Sequence, residues 1–295
     1  MTAAQGFDGA CAAPGRGVQN QASLQLQTLE ALPLTDHVES VTNRLAHITH
    51  KLKTDVFTTV LEVAQWFNDG VTPDMPRAAF DKLMEVVPIA NFGLTALEWI
   101  PRVTHEERMQ FEARARRDLM RDIGISRRAE GDQGPLSRDI DRAEYFPIMH
   151  SHPQARTYGA LLYNVGSDER RLESLIKCRD EGRPIISAGV MLVDPRVPGV
   201  ILLHPKYKGH PRTVEERRQC LMGFSTLVLQ VGDLVARHVE RHGLGGLRLW
   251  VLDVTNSSRL ELLYTPTGGP PPESGLIYTE QLRVGERVWR FVIVS

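Results

Sequence analysis

The sequence predicts an α+β protein in which a long helix precedes two mixed lobes. Three observations carry that prediction. Apolar residues between Val38 and Phe67 recur in steps of three and four, which is a helical stripe. From Leu94 to His204, short apolar runs separated by Gly and Pro alternate with helical patterns. A second series of such runs follows from Thr213 to Val294.

The elements follow in chain order. Residues 1–22 are poor in apolar side chains and carry Gly and Pro, so residues 1–35 read as disordered or weakly helical. Thr35 or Asp36 caps a stalk helix over 36–70. Its stripe (Val38, Val41, Leu45, Ile48, Leu52 and onward) is narrow enough for a coiled-coil seam, which predicts a homodimer along it. Asn68-Asp69-Gly70 ends it, and Pro76 opens a shorter helix to Met84. Leu94–Ile100 reads as a strand, and Thr104 with Glu107 as a capping box opening a helix to about Arg121. Residues 123–143 are polar and Gly-rich, hence a loop. Strands are expected at Tyr145–His150, Ala160–Tyr163, Pro184–Val193 and Val200–His204, interrupted by a helix from Ser167 to Arg179 that Gly182 closes. The first lobe thus covers 71–212. The second, 213–295, holds a strand at Leu221–Val231, a helix at Asp233–His242 and strands at 247–254, 260–264, 276–282 and 288–294.

Charge and cysteine content exclude several classes. Thirty-five basic residues against 36 acidic ones leave a net charge of −1, with no electrostatic footprint for nucleic acid. The Arg-dense run 102–142 has ten Arg against nine acidic residues and reads as a self-paired, solvated face. Three Cys make no disulfide framework and show no zinc-type spacing. No apolar stretch approaches the roughly 18 residues of a membrane helix, and the N-terminus has no signal-peptide pattern. The apolar ending Val288–Ser295 has no terminating turn signal, as if the chain continued in a longer protein.

No catalytic constellation is present: there is no GxSxG, HExxH, Walker loop or GxGxxG. The His pairs 47/50, 150/152 and 238/242 have no third ligand placed by sequence, so no metal or cofactor is expected. Cys178 and Cys220 read as small buried hydrophobes. Asn256-Ser257-Ser258 fits the glycosylation acceptor pattern, which six Asn can produce by chance.

Four blocks in order, Leu97-Glu98-Trp99-Ile100-Pro101-Arg102, Tyr145-Phe146-Pro147-Ile148, Ser167-Asp168-Glu169-Arg170-Arg171 and Arg179-Asp180-Glu181-Gly182-Arg183-Pro184, resemble the CHASE sensory domain. Thr213-Val214-Glu215-Glu216-Arg217 and Val251–Asn256 resemble its plant-type branch, which includes cytokinin-receptor histidine kinases. The resemblance covers about residues 40–295. It implies a long helix followed by two PAS-like lobes, the first distal and the second proximal to a membrane. It also implies an extracytoplasmic position, in the cell membrane or the endoplasmic reticulum membrane, between membrane helices that this sequence lacks. The output would be a histidine kinase or nucleotide cyclase lying outside this sequence, so no enzyme activity is expected of the chain itself.

The same resemblance marks a ligand site in the distal lobe at Arg171, Ser187, Val193, Leu203 and Phe224. Arg171 stands where cytokinin-binding members carry an aspartate. A five-donor cation in place of an acceptor implies a ligand with a carboxylate, phosphate or other acceptor, in preference to a cytokinin-like purine. Beside this stands a plainer reading, in which Arg171 pairs with Asp168 at the surface, while Val193, Leu203 and Phe224 are core. Two functions are therefore weighed: a small-molecule sensor transmitting through the stalk, and a structural or dimerisation segment with no ligand. An open volume between Ser187, Leu203 and Phe224 would favour the first.

Overall fold

The computed structural model describes residues 58–87, 94–129, 134–153, 158–241, 248–274 and 277–294, together with helical residues 42, 43, 46, 47, 50 and 51. The expected disordered segment 1–35 and most of the stalk stripe, including Val41, Leu45, Ile48 and Leu52, lie outside the described residues. Within the segment expected as stalk, helix α1 covers Thr58–Gly70, with Val60, Ala64 and Phe67 buried. Helix α2, Arg77–Met84, follows and buries Phe80 and Met84.

The first sheet has six antiparallel strands: β1 (Leu94–Pro101), β6 (His150–His152), β7 (Ile185–Ile186), β8 (Val190–Met191), β9 (Pro198–Tyr207) and β10 (Leu221–Leu229). Their order is β6-β1-β10-β9-β7, and β8 extends β9. All eight residues of β1 are buried because both faces of the sheet are covered. On one face lie α1 and α2. Asn68 accepts a bond from the Ser225 hydroxyl at 2.9 Å, and Phe80 stacks on His150 with ring centroids 4.9 Å apart. On the other lies α4, Glu169–Glu181, over a core that includes Ala96, Ile100, Phe146, Leu203 and Phe224. Gly182, at φ +68°, ends α4 in the left-handed region that glycine enters without a Cβ penalty.

Between β1 and α4 the chain runs through β2 (Val103–Thr104), α3 (Arg108–Leu119), β3 (Ser126–Arg128), β4 (Leu136–Arg138) and β5 (Glu144–Tyr145). The expected capping-box bonds exist. The Thr104 N–H donates to Glu107 Oε2 at 3.0 Å, and the Glu107 N–H to Thr104 Oγ1 at 3.4 Å. They close the turn just ahead of α3. The segment expected as loop contains the β3–β4 hairpin; strands of three residues are too short to show a period in sequence. Ala160–Tyr163, expected as a strand, is a turn following a 3-10 segment, tied to β3 by a single bridge. Helix α5, Val214–Cys220, carries a full capping box between Thr213 and Glu216.

The second sheet, β12-β11-β14-β13, is antiparallel and built from β11 (Arg248–Asp253), β12 (Glu261–Tyr264), β13 (Ile277–Val284) and β14 (Arg287–Val294). Helix α6, Val231–Arg241, leads into it. One expected placement is corrected. The strand Leu221–Leu229, assigned by sequence order to a second lobe opening at 213, pairs with β1 and β9 inside the first sheet. Its partners lie 14 to 135 residues away in sequence, so no local pattern announces them.

Candidate functional site

Alternation along β1 places Ala96, Glu98 and Ile100 toward α4. Register then sets a row across the sheet: Ser151 on β6, Glu98 on β1, Thr226 on β10 and Leu203 on β9. Three of these four are polar, in an otherwise apolar wall. The Ser151 hydroxyl donates to Glu98 Oε1 at 3.3 Å, and the Thr226 hydroxyl lies 3.5 Å from Oε2. Glu98 is 5 % exposed. Burial pushes its carboxyl up to about 7, against the lowering effects of Ser151, the Arg171 charge and Thr226.

Above this row stands Arg171, 2 % exposed. Helix α4 buries Arg171, Leu175 and Cys178, spaced i, i+4, i+7. Period alone puts the inner stripe one position round, at Leu172, Leu175, Ile176 and Arg179, with Arg171 at its border beside Leu175 and Cys178; Ile176 is in fact exposed. This rotation corrects the surface reading of Arg171. Asp168 does meet Arg171, but as the helix N-cap, accepting the Arg171 backbone N–H at 3.0 Å. The guanidinium carbon instead lies 5.2 Å from the centre of the Tyr163 ring, and Nη2 donates to the Met191 carbonyl.

Glu98 and Arg171 line one cavity of about 20 Å³, which holds about one water-sized probe. Ala96, Ala160 and Ile201 line it too, with Val193 and Asp194 along one wall. That wall is fixed by two further bonds. Arg128 Nη2 donates to the Val193 carbonyl at 2.9 Å, and the Gly159 N–H donates to Asp194 Oδ2 at 2.9 Å.

The five expected site residues separate here. Arg171 and Val193 line the cavity. Ser187 does not: its hydroxyl donates to the Ala188 carbonyl at 2.8 Å and accepts the Ile201 N–H at 3.0 Å, an internal brace between β7 and β9. Leu203 and Phe224 are packed core, with Phe224 edge-on to Phe146 at 5.7 Å. The hollow lies beside Glu98 rather than between Ser187, Leu203 and Phe224. Glu98 appears in the sequence reading only inside the Leu97–Arg102 block, without a role, and Asp194 does not appear in it. A charged residue in a strand pattern, Leu94–Ile100, whose other members are apolar except Thr95, was the available signal for Glu98. Asp194 carried none.

Other polar clusters are structural. The Arg-dense run is self-paired as expected, yet part of it is buried. Arg108 binds Glu112 at 3.0 Å, the Tyr145 hydroxyl at 3.0 Å and the Asp139 carbonyl at 2.9 Å. Asn164 Nδ2 donates to Asp139 at 2.6 Å, joining this network to the turn before α4. A larger groove of about 670 Å³ runs past Pro73, Arg102, Gln110 and Arg114, but its Arg102 and Arg114 are paired with Glu144 and Asp74. Cys178 is buried, and burial pushes its thiol up. Among the described residues no group of three His, Cys, Asp or Glu could hold a metal, and no helix is long and apolar enough to cross a membrane.

With the fold and cavity in place, comparison with known proteins gives the class: this is a sensory domain of signal-transduction receptors. Residues 73–264 match the CHASE domain family, and the chain belongs to it. It is 26 % identical over 232 residues to hybrid signal transduction histidine kinase A of Dictyostelium discoideum, covering 68 % of this chain and 11 % of that protein. It is 23 % identical over 233 residues to probable histidine kinase 3 of Oryza sativa subsp. japonica, covering 75 % of this chain and 22 % of that protein. The chain thus spans a small part of the curated relatives it matches. Among solved structures, the periplasmic sensory domain of the Campylobacter jejuni chemoreceptor Tlp1 overlaps 88 % of this chain and 93 % of its own at 10 % identity, with a TM-score of 0.46.

Proposed function

We propose that this chain is the extracytoplasmic ligand-sensing module of a membrane receptor of the sensor histidine kinase or nucleotide cyclase type. Its two sheets correspond to the distal and proximal PAS-like lobes that the family resemblance implies. A small molecule binds in the distal lobe at the Glu98–Arg171 cavity, and the signal leaves through the stalk helix of a homodimer. The observation that carries the reading is the buried pair itself. A Glu and an Arg lining one hollow cost more to bury than apolar residues would, which marks the place as a site in preference to core. Family membership supports the sensory role, and the histidine kinase relatives support the output class.

One observation favours a second reading. At about 20 Å³ the cavity is too small for an organic ligand as it stands, which suits a filled, structural lobe. The two readings part in a thermal-shift screen of the full chain with purines, organic acids, amino acids and peptides. A ligand at 100 times its Kd adds about 2.7 kcal/mol of stability, a shift of several degrees. No stabilising compound across that panel is the result expected of a structural segment.

A further inference from the structure

Two opposite charges share the wall of one cavity, and the chemistry that holds them restricts what can enter. The carboxylate of Glu98 sits between the hydroxyls of Ser151 and Thr226. The guanidinium of Arg171 is held by the Met191 carbonyl and the Tyr163 ring, near enough for its charge to act on Glu98. A buried charge is tolerated while its counterpart is present and is costly once the counterpart is removed. Any molecule entering this hollow lies beside or between the two side chains and weakens their mutual attraction. An anion satisfies Arg171 but sets a second negative charge beside Glu98. A cation does the reverse. A neutral molecule separates the pair and replaces neither partner. A molecule carrying both charges replaces both.

We propose that the ligand of this cavity is a small zwitterion, with its anionic group on Arg171 and its ammonium group on Glu98 between Ser151 and Thr226. The inference rests on the sensing reading of the same cavity. It also accounts for how room is made. Met191 belongs to the segment 189–194, whose Leu192, Val193 and Asp194 line the cavity. When a carboxylate takes the place of the Met191 carbonyl on Arg171, that segment is released outward. Its near end is tied to the second sheet, where the Gly189 N–H donates to Glu261 Oε2 at 3.1 Å on β12. Filling the hollow therefore pulls on the second sheet through one short strap.

The test is titration calorimetry of the full chain at pH 8 with α-amino acids of increasing size and with taurine. Each is compared with the acid lacking its amino group and the amine lacking its acid group. The expected result is a zwitterion that binds about tenfold or more tighter than either half-analogue. Glu98→Gln should weaken that zwitterion by about tenfold while strengthening the amine-free acid, whose charge no longer faces a carboxylate. The comparison on the unmodified chain stands even if the variant fails to fold. An amine-free acid binding as tightly as its zwitterion overturns the inference and leaves the sensing reading intact. So does a purine or organic acid that binds when no zwitterion does. Binding of nothing in either panel overturns both.

Discussion

Glu98 occupies a position where a carboxylate is costly to keep ionised. Its carboxyl titrates near 7 in the folded protein against 4.5 for an ordinary glutamate, with burial as the main cause. Between those values the folded chain binds more protons than the unfolded one, so this group's contribution to stability is greatest below 4.5. It falls as pH rises toward 7 and is constant above it. The groups facing it are Arg171, Ser151 and Thr226, with Asp194 on the same cavity. Glu98→Gln, which mimics the neutral carboxyl, should be more stable than the parent at pH 8 by up to about 3 kcal/mol and nearly equal at pH 4.5. Urea midpoints at the two pH values measure this; the same difference at both would show that Glu98 does not titrate as described. Arg171 was legible from its place in the Ser167–Arg171 block, but only as a cation of unknown facing. A one-position rotation of α4 decides whether it meets solvent or Glu98, and the stripe of an amphipathic helix does not fix that when arginine itself lies on the inner face. Leu203 and Phe224 show the converse: apolar residues expected at a pocket are indistinguishable in sequence from core.

At the scale of elements, α4 and the strap 189–194 carry the site. The Asp168 N-cap positions the first turn of α4, where Arg171 stands. Asp168→Ala should cost about 1 kcal/mol, lowering Tm by a few degrees. An unchanged Tm would mean that the cap does not hold the turn. The strap's anchor, Glu261, accepts the Gly189 N–H and pairs with Arg170 at 3.5 Å and Arg259 at 3.3 Å. A Cβ on Gly189 would come within 2.9 Å of Leu263 Cδ2, so a side chain there requires the end of Leu263 to shift. Glu261→Ala should speed hydrogen exchange at the Gly189 amide and cost about 1 kcal/mol, given the partial exposure of its ion pairs. Unaltered exchange at Gly189 would remove the strap from the account. Most helices and long strands were legible from period, caps and the glycine at 182. The hairpin β3–β4 was not, because its strands are too short to display alternation. Strand β10 was legible as a strand and misassigned as to sheet, because pairing between 94–101 and 221–229 is a long-range fact that a local pattern does not contain.

At the scale of the molecule, the proposed sensor needs a route out of the distal lobe. Helix α1 lies against β9 and β10, with the Lys206 ammonium donating to the Asn68 carbonyl at the helix's C-terminal end. This contact is the route by which we propose that a change in the first sheet reaches the stalk. The stripe from Val41 to Leu52, which lies outside the described residues, is proposed to pair two copies. Light scattering should give twice the chain mass of 33.1 kDa, and Leu45→Asp with Leu52→Asp should halve it. A monomeric parent would contradict the stalk as a dimer seam. The central claim, that the Glu98–Arg171 cavity is a ligand site, is tested most directly by titrating the strongest compound from the screen into the parent and into Arg171→Gln, with folding of both checked by circular dichroism. The account predicts saturable heat from the parent and an affinity at least about tenfold lower for the variant, the scale of a lost charge-assisted hydrogen bond. Equal affinity for the two proteins would place the ligand elsewhere and contradict it.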